Sequence, residues 1–478
     1  MKSFSVRGAA AVGLLAALLA AGCGGGGGSP GACLSGSPEV CAAGSQSSTP
    51  SVPETSQAWA EVCTLDGVKH FTRNYMDEAY LWYREIPAID PAPYTSIGRY
   101  FYDLLTPALD PNGQRKDRFS FIVNAADADS LLTGSVTSYG VQWEADALGR
   151  MRAAFVEQGS PAQAAGLARG AELVEVLTPG TPDWYPNGAA QISFTYRPAP
   201  GQPTVAATLS SAALQEDPLP LVRNLVSTAG HKVAYLLFNA HTQGAQDKLI
   251  AAVTDLQQAG VSDLVLDMRY NRGGFLYTAQ SLSSMLTGPQ ADGQVFERLQ
   301  YNDKRQADTQ ASVVDFSGQV LVGETSYGAG TALPRLSLPR VYVLTTGNTC
   351  SASESVINSL RGVDVEVILV GATTCGKPYG FSRKDNCGLS YFPIEFQGVN
   401  DKGFGDYASG FAPTCAAADD FDHALGDSSE RLLATALHYV DTTSCPQQAA
   451  RAQSLPPRPD FGGSRWRQPG KVMLAPRP

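Results

Sequence analysis

Two side chains with complementary chemistry stand in neighbouring loops of this 478-residue chain. Ser351 opens a stretch, Ala352 to Leu360, whose apolar spacing predicts a helix, and Lys377 follows the next apolar run, Val363 to Val370. A hydroxyl is a weak nucleophile until a base removes its proton. A lysine amine can be that base only when neutral, and its ordinary pKa of about 10.4 keeps it charged at neutral pH. Burial can lower that value by ~3 units, worth roughly 4 kcal/mol at ~1.36 per unit. The local sequence suits such a shift: no acidic residue lies between Ala372 and Arg383, and Pro378-Tyr-Gly-Phe381 offers apolar cover. A developing oxyanion needs preorganised donors. The backbone N–H groups of Ala352, on the first helical turn, and Gly274, in Arg269-Tyr-Asn-Arg-Gly-Gly274, are the candidates, with Gly273 the alternative to Gly274.

Three loops must meet for this chemistry, and the elements around them predict that they do. Short apolar runs at Val233–Phe238, Asp263–Met268, Val341–Thr345 and Val363–Val370 read as strands. They alternate with helical spacing at Asp247–Ala259, Leu276–Leu286 and Ala352–Leu360. Such alternation predicts right-handed βαβ units and a largely parallel sheet, whose strand C-termini share one edge. The strands before Ser351 and Lys377 are joined by a single helix, which makes them neighbours ~4.8 Å apart if they pair directly. Upstream, Ser56 to Pro107 has helical spacing in two pieces broken at Pro87–Pro93. From about Asp117 the pattern turns to strands, at Phe119–Val123, Tyr139–Trp143, Met151–Val156 and Leu173–Leu177. The fold class expected is an α/β core with a largely parallel sheet, a β-rich domain and an N-terminal helical segment.

Each residue alone also has a plain reading: Ser351 as a helix cap, Lys377 as a surface lysine, Gly273-Gly274 as a loop. His241 and His423 read as structural, since no Ser/His/Asp arrangement assembles around either. Glu354 stands where a penicillin-binding or class A lactamase pattern needs lysine, which excludes that chemistry.

The ordered run of strands with Gly159-Ser-Pro-Ala, a short Ala-rich segment, Ala165-Gly-Leu167 and Gly170-Ala-Glu172 resembles a PDZ domain, a module that takes a peptide carboxyl terminus as an added strand. Leu266-Asp-Met-Arg-Tyr-Asn-Arg-Gly-Gly274, Ser351-Ala-Ser-Glu354 and Gly376-Lys377 come after it in the order seen in carboxy-terminal processing (tail-specific) serine proteases. That resemblance spans roughly residues 117 to 380 and implies a crotonase/ClpP-like protease core. It implies Ser351 as nucleophile, Lys377 as general base, and Gly274 and Ala352 as oxyanion donors. Its substrates would be proteins or peptides with exposed C-terminal tails, cleaved through an acyl-enzyme. Many family members place a Gln four residues after the lysine to orient it; Phe381 stands there, so a third catalytic residue is left open. The alternatives are a catalytically inactive tail- or ligand-binding protein on the same fold, and a latent protease whose PDZ domain blocks the site.

The rest of the chain reads as export and anchoring. Lys2 and Arg7 precede the apolar run Ala9–Ala21, as in a secretory signal. Ala21-Gly22-Cys23 resembles a bacterial lipoprotein processing site, which implies lipid on Cys23; ordinary signal cleavage is the alternative. Gly24 in place of Asp favours the outer membrane, so the expected location is the periplasm-facing cell envelope. Residues 23–57, rich in Gly, Ser and Pro, form a flexible tether with an r.m.s. reach of ~30–35 Å. Setting Cys23 aside leaves eight of the nine cysteines, an even number suited to disulfides of open connectivity. No CxxC pair and no HExxH spacing occurs, so no metal or cofactor is expected. The net charge of −10 excludes a nucleic-acid partner, and no later apolar run reaches the ~20 residues of a membrane span, leaving the lipid as the sole membrane contact. The expected divisions are a signal peptide (1–22), the tether (23–57), a helical region (58–116), a PDZ-like domain (117–215), the protease core (216–445) and a tail (446–478).

Overall fold

A computed structural model describes residues 54–180, 182–186 and 188–447. The signal peptide, Cys23, nearly all of the tether, Cys33, Cys41 and the tail beyond 447 lie outside the described residues.

The sheet that carries the loops has six strands, in the order Cys415–Ala416, Glu366–Gly371, Arg340–Thr345, Asp263–Asp267, Lys232–Leu237 and Leu221–Val226. Every neighbouring pair is parallel except the last. Its central strands are near-continuous apolar runs because helices cover both faces. On one face, helices Ala245–Ala259, Leu276–Leu286 and Ala352–Gly362 set Leu249, Leu282 and Val356 against Leu236, Leu266 and Val343. On the other, helix Arg431–Thr442 sets Leu432, Leu433 and Ala436 against Tyr235, Val265 and Leu344. The strand expected from Val363 begins only at Glu366, because Val363 still caps the helix and Asp364 turns through a positive φ.

The N-terminal helices form where their caps and apolar stripes predict. Thr64 Oγ1 accepts the Gly67 N–H at 3.1 Å and starts helix Leu65–Ala79; Ser96 Oγ does the same for Ile97–Asp103. Phe71, Tyr75, Met76 and Phe101 then pack with Phe121, Phe381, Tyr391 and Phe392 in one buried cluster. The disulfide Cys63–Cys387 joins the same two regions across a sequence separation of 324.

That cluster corrects one expectation. Strand Phe121–Asn124 does not join the β-rich domain; it pairs with Leu389–Phe392, which pairs with Lys384–Asn386. Helix Ala125–Thr133, weakly patterned and closed by Gly134 in a left-handed cap, separates it from the β-rich unit. That unit is a five-stranded antiparallel sheet in the order Val141–Ala145, Met151–Val156, Glu172–Val176, Gln191–Arg197 and Val205–Ser210. Trp143, Trp184, Phe194 and Tyr139 fill its core. A four-stranded antiparallel sheet, Val313–Asp315, Val295–Tyr301, Phe396–Val399 and Tyr379–Gly380, was not foreseen from sequence; its strands are short and distant in the chain. Among the described residues, no helix is long and apolar enough to cross a membrane.

Candidate active site

The strands before Ser351 and Lys377 pair directly, with Leu344 opposite Val370 and Thr345 opposite Gly371. Strand Asp263–Asp267 pairs on the other side. Loops 269–274, 346–351 and 372–378 therefore leave one sheet edge together. Side-chain bonds then lace them. Thr349 Oγ1 donates to the Met268 carbonyl at 2.9 Å, the Cys350 N–H to the Asn271 carbonyl at 3.0 Å, and Ser353 Oγ to the same carbonyl at 3.1 Å.

Ser351 is fully buried, at φ 60° and ψ −121°. A non-glycine residue held in such a sparsely populated region costs about 1–3 kcal/mol and needs the surroundings to over-determine it. Its N–H donates to Glu354 Oε2 at 3.0 Å, while its Oγ has no hydrogen-bond partner among the described residues.

Lys377 is 2% exposed. Its Nζ lies 4.3 Å from the centre of the Phe381 ring and 5.5 Å from that of Phe119. Burial pushes its pKa down to about 7, against the upward pull of Asp117 and Glu354. The local absence of acids in the sequence was therefore an incomplete guide, since both carboxylates arrive from elsewhere in the chain. Ser351 Oγ and Lys377 Nζ are not hydrogen-bonded to each other here.

Glu354 ties the two residues together. One of its oxygens takes the N–H groups of Ser351 (3.0 Å) and Lys377 (2.8 Å); the other takes Gly376 N–H (2.9 Å) and Thr374 Oγ1 (2.6 Å). Burial still holds its carboxyl above the usual range. A disulfide joins Cys350 to Cys375, so the residues just before Ser351 and Gly376-Lys377 are also covalently linked. The third disulfide is Cys415–Cys445.

The glycine loop closes against Ser351. A Cβ at Gly273 would fall 2.8 Å from Ser351 Cβ and 2.9 Å from Ala352 N, and one at Gly274 only 2.3 Å from the His241 carbonyl oxygen. Both positions have positive φ, 94° and 143°, so glycine is required at each. Gly273 N–H is engaged by Asn271 Oδ1 at 2.9 Å. The N–H groups of Gly274 and Ala352 have no acceptor among the described residues, which leaves these two available for an incoming oxygen. The His241 backbone bonds both Gly273 and Phe275, and its Nδ1 pairs with Asn271 Oδ1 at 3.1 Å. His423 pairs with Asp420 at 2.8 Å. Asn271, Glu354 and Asp117 went unassigned in the sequence; the position of Glu354 in Ser351-Ala-Ser-Glu354, three residues into a helix, was the one available signal.

The β-rich unit reaches these loops. Asn348 Nδ2 donates to Glu144 Oε1 at 2.6 Å, and the Arg272 guanidinium lies 3.7 Å from the same oxygen. Arg169 and Arg269 share Asp419, each at 2.8 Å. A shallow open cleft lies between the unit and the loop edge, lined by Gly140, Gln142, Tyr185, Glu216, Tyr270 and Arg272 among others.

Two family descriptions match this chain: Peptidase family S41 over residues 232–385, and the Peptidase S41 N-terminal domain over residues 67–121. Two stretches of the chain are thus similar to S41 peptidase domains, one over the helices of the N-terminal region and one over most of the mixed α/β part. A crystal structure from Bacteroides fragilis NCTC 9343, titled as an S41 protease, superposes with a TM-score of 0.61 at 26% identity, covering 78% of this chain and 97% of that one. The photosystem II D1 C-terminal processing protease gives 0.47 at 19% identity, with 74% and 93% covered. Mature CPAF gives 0.47 at 12% identity, with 82% and 98% covered. No curated protein sequence matches the chain.

Proposed function

We propose that the protein is a serine endopeptidase in which Ser351 is the nucleophile and Lys377 the general base. One observation carries this reading: a lysine buried between two phenyl rings, its pKa lowered to about 7, is fixed through a single carboxylate to a strained serine whose Oγ is unbonded. Neutral Lys377 takes the Ser351 proton as Oγ attacks the scissile carbonyl. Gly274 and Ala352 N–H groups receive the oxyanion, where such a donor is worth ~10²–10³ in rate. The lysine then protonates the leaving amine, and water hydrolyses the acyl-enzyme. Oγ and Nζ must approach to ~2.6–3.2 Å for the first transfer, a contact that often tightens only when substrate binds.

The β-rich unit serves as a PDZ domain that captures the carboxyl end of a protein substrate. Support for this comes from its strand order, the Ser160-capped turn into Pro161–Ala164, and the edge position of strand Val141–Ala145 beside the open cleft. A tail can add there as a further strand. Lipid on Cys23 would place the enzyme on the periplasmic side of the bacterial envelope. The runner-up, an inactive tail-binding protein, is favoured by the missing Oγ–Nζ bond. A test protein with an exposed apolar tail, incubated with wild type, Ser351→Ala and Lys377→Ala, separates the two. Cleavage products from wild type alone support the enzyme. Equal cleavage by all three rejects the assignment, and tail binding without cleavage by wild type leaves the binder.

A further inference from the structure

The disulfide Cys350–Cys375 occupies the place of a positioning device. Its half-cystines immediately precede Ser351 and Gly376-Lys377, with Cα atoms 5.2 Å apart. No regular strand runs through the lysine loop, since one strand ends at Gly371 and the next starts at Tyr379. Apart from the disulfide, the loop up to Lys377 is tied to its neighbours by hydrogen bonds: Ala372 N–H to the Thr345 carbonyl at 2.9 Å, Thr345 Oγ1 to the Ala372 carbonyl at 2.8 Å, Thr374 N–H to the Phe411 carbonyl at 3.2 Å, Phe411 N–H to Thr374 Oγ1 at 2.7 Å, Cys375 N–H to the Thr349 carbonyl at 3.0 Å, Arg118 to the Cys375 carbonyl at 3.3 Å, and the donors into Glu354. Both half-cystines are partly exposed, whereas Ser351 and Lys377 are buried.

We infer, resting on the Ser351–Lys377 reading above, that this disulfide is a positioning element of the active site and that the peptidase is active only while it is oxidised. Reduction by a dithiol breaks the Sγ–Sγ bond. The two sulfurs take up two electrons and two protons, and the dithiol closes to its own disulfide. Ser351 and Lys377 are then joined through the Glu354 carboxylate without a covalent brace. A misplacement of ~1 Å costs on the order of 10²-fold in rate. The charges acting on the amine are Asp117 and Glu354; Arg118 donates to the Cys375 carbonyl at 3.3 Å. The two carboxylates favour the ammonium, so the neutral amine depends on dry packing, which a loosened loop gives up.

The test compares wild type, Cys350→Ala/Cys375→Ala and Cys415→Ala/Cys445→Ala. In the first double variant kcat should fall by about 10–100-fold, with KM nearly unchanged and the acid limb of the pH profile moved upward. Competitive acetylation of Lys377 across pH reads the same displacement without any substrate. The Cys415/Cys445 variant should keep the wild-type kcat and profile. If the first variant does not fold, wild type reduced with dithiothreitol and alkylated at Cys350 and Cys375, with sites mapped by mass spectrometry, takes its place. Unchanged kcat and an unchanged Lys377 half-point in either protein overturn the inference. A wild type inert on every substrate, whose Lys377 half-point nevertheless moves, removes the peptidase reading and keeps the positioning role.

Discussion

Two buried cations sit at the same sheet edge in opposite surroundings. Arg269 is fully buried and ion-paired with Asp267, Asp419 and Glu430 at 2.8–2.9 Å, so its guanidinium is held charged. Lys377, nearly as buried, faces the rings of Phe381 and Phe119, and its pKa is lowered to about 7. The contrast separates a cation that organises structure from one that can lose its proton. Burial alone decides neither; the deciding factor is whether anions in direct contact replace the lost water.

The sharpest way to break this comparison is to make the lysine permanently charged. Lys377→Arg keeps a cation but no neutral base, and activity should fall by ~10²–10⁴-fold, as far as for Lys377→Ala. Measured turnover near wild type would sink the general-base role. Next in size, Arg269→Leu leaves buried Asp267 and Glu430 without their cation, while Asp419 keeps Arg169, and should cost about 3–5 kcal/mol in denaturant unfolding. Lys377→Met should act in the other direction and stabilise the fold. The folded-state pKa of Lys377 lies below its unfolded value, so below about pH 7 both states hold the proton and folding carries the full penalty. The penalty, on the order of 4 kcal/mol, shrinks as pH rises toward ~10.4, so the gap between Lys377→Met and wild type should close over that range. In rate, the same group predicts kcat/KM falling tenfold per pH unit well below about 7. The smallest effect belongs to Glu144→Ala, which removes one contact each to Asn348 and Arg272. A few-fold loss of activity with little change in stability is expected, read by kinetics and thermal melting.

The parallel-sheet part of the fold was legible because its strands are apolar on both faces; strand Asp263–Asp267 and helix Leu276–Leu286 fall where the pattern puts them, as does Met151–Val156 in the β-rich unit. Long-range pairing was not legible. Nothing local to Phe121–Asn124 says that its partner is Leu389–Phe392, and the helix at Ala125–Thr133 has too weak a stripe to announce itself. At the site, residue types in loops after strands, together with the family resemblance, nominated Ser351, Lys377, Gly274 and Ala352. Their electrostatic setting was not, because Asp117 and Glu354 approach Lys377 through tertiary structure. The choice between Gly273 and Gly274 also needed coordinates, since it turns on one bond to Asn271.

Cys63 and Cys387 bear on how the chain is made. Cys350 and Cys375 lie between them in the sequence and are bonded to each other. A polypeptide threaded through a translocon N-terminus first presents the Cys63 thiol hundreds of residues before its mate emerges. Oxidation in order of emergence would couple it to Cys33 or Cys41 before it, or to Cys350 after it, ahead of Cys387. With export as proposed, maturation calls for a shuffling catalyst that undoes premature bonds, and secretion yield should depend on an isomerase more than on the oxidant.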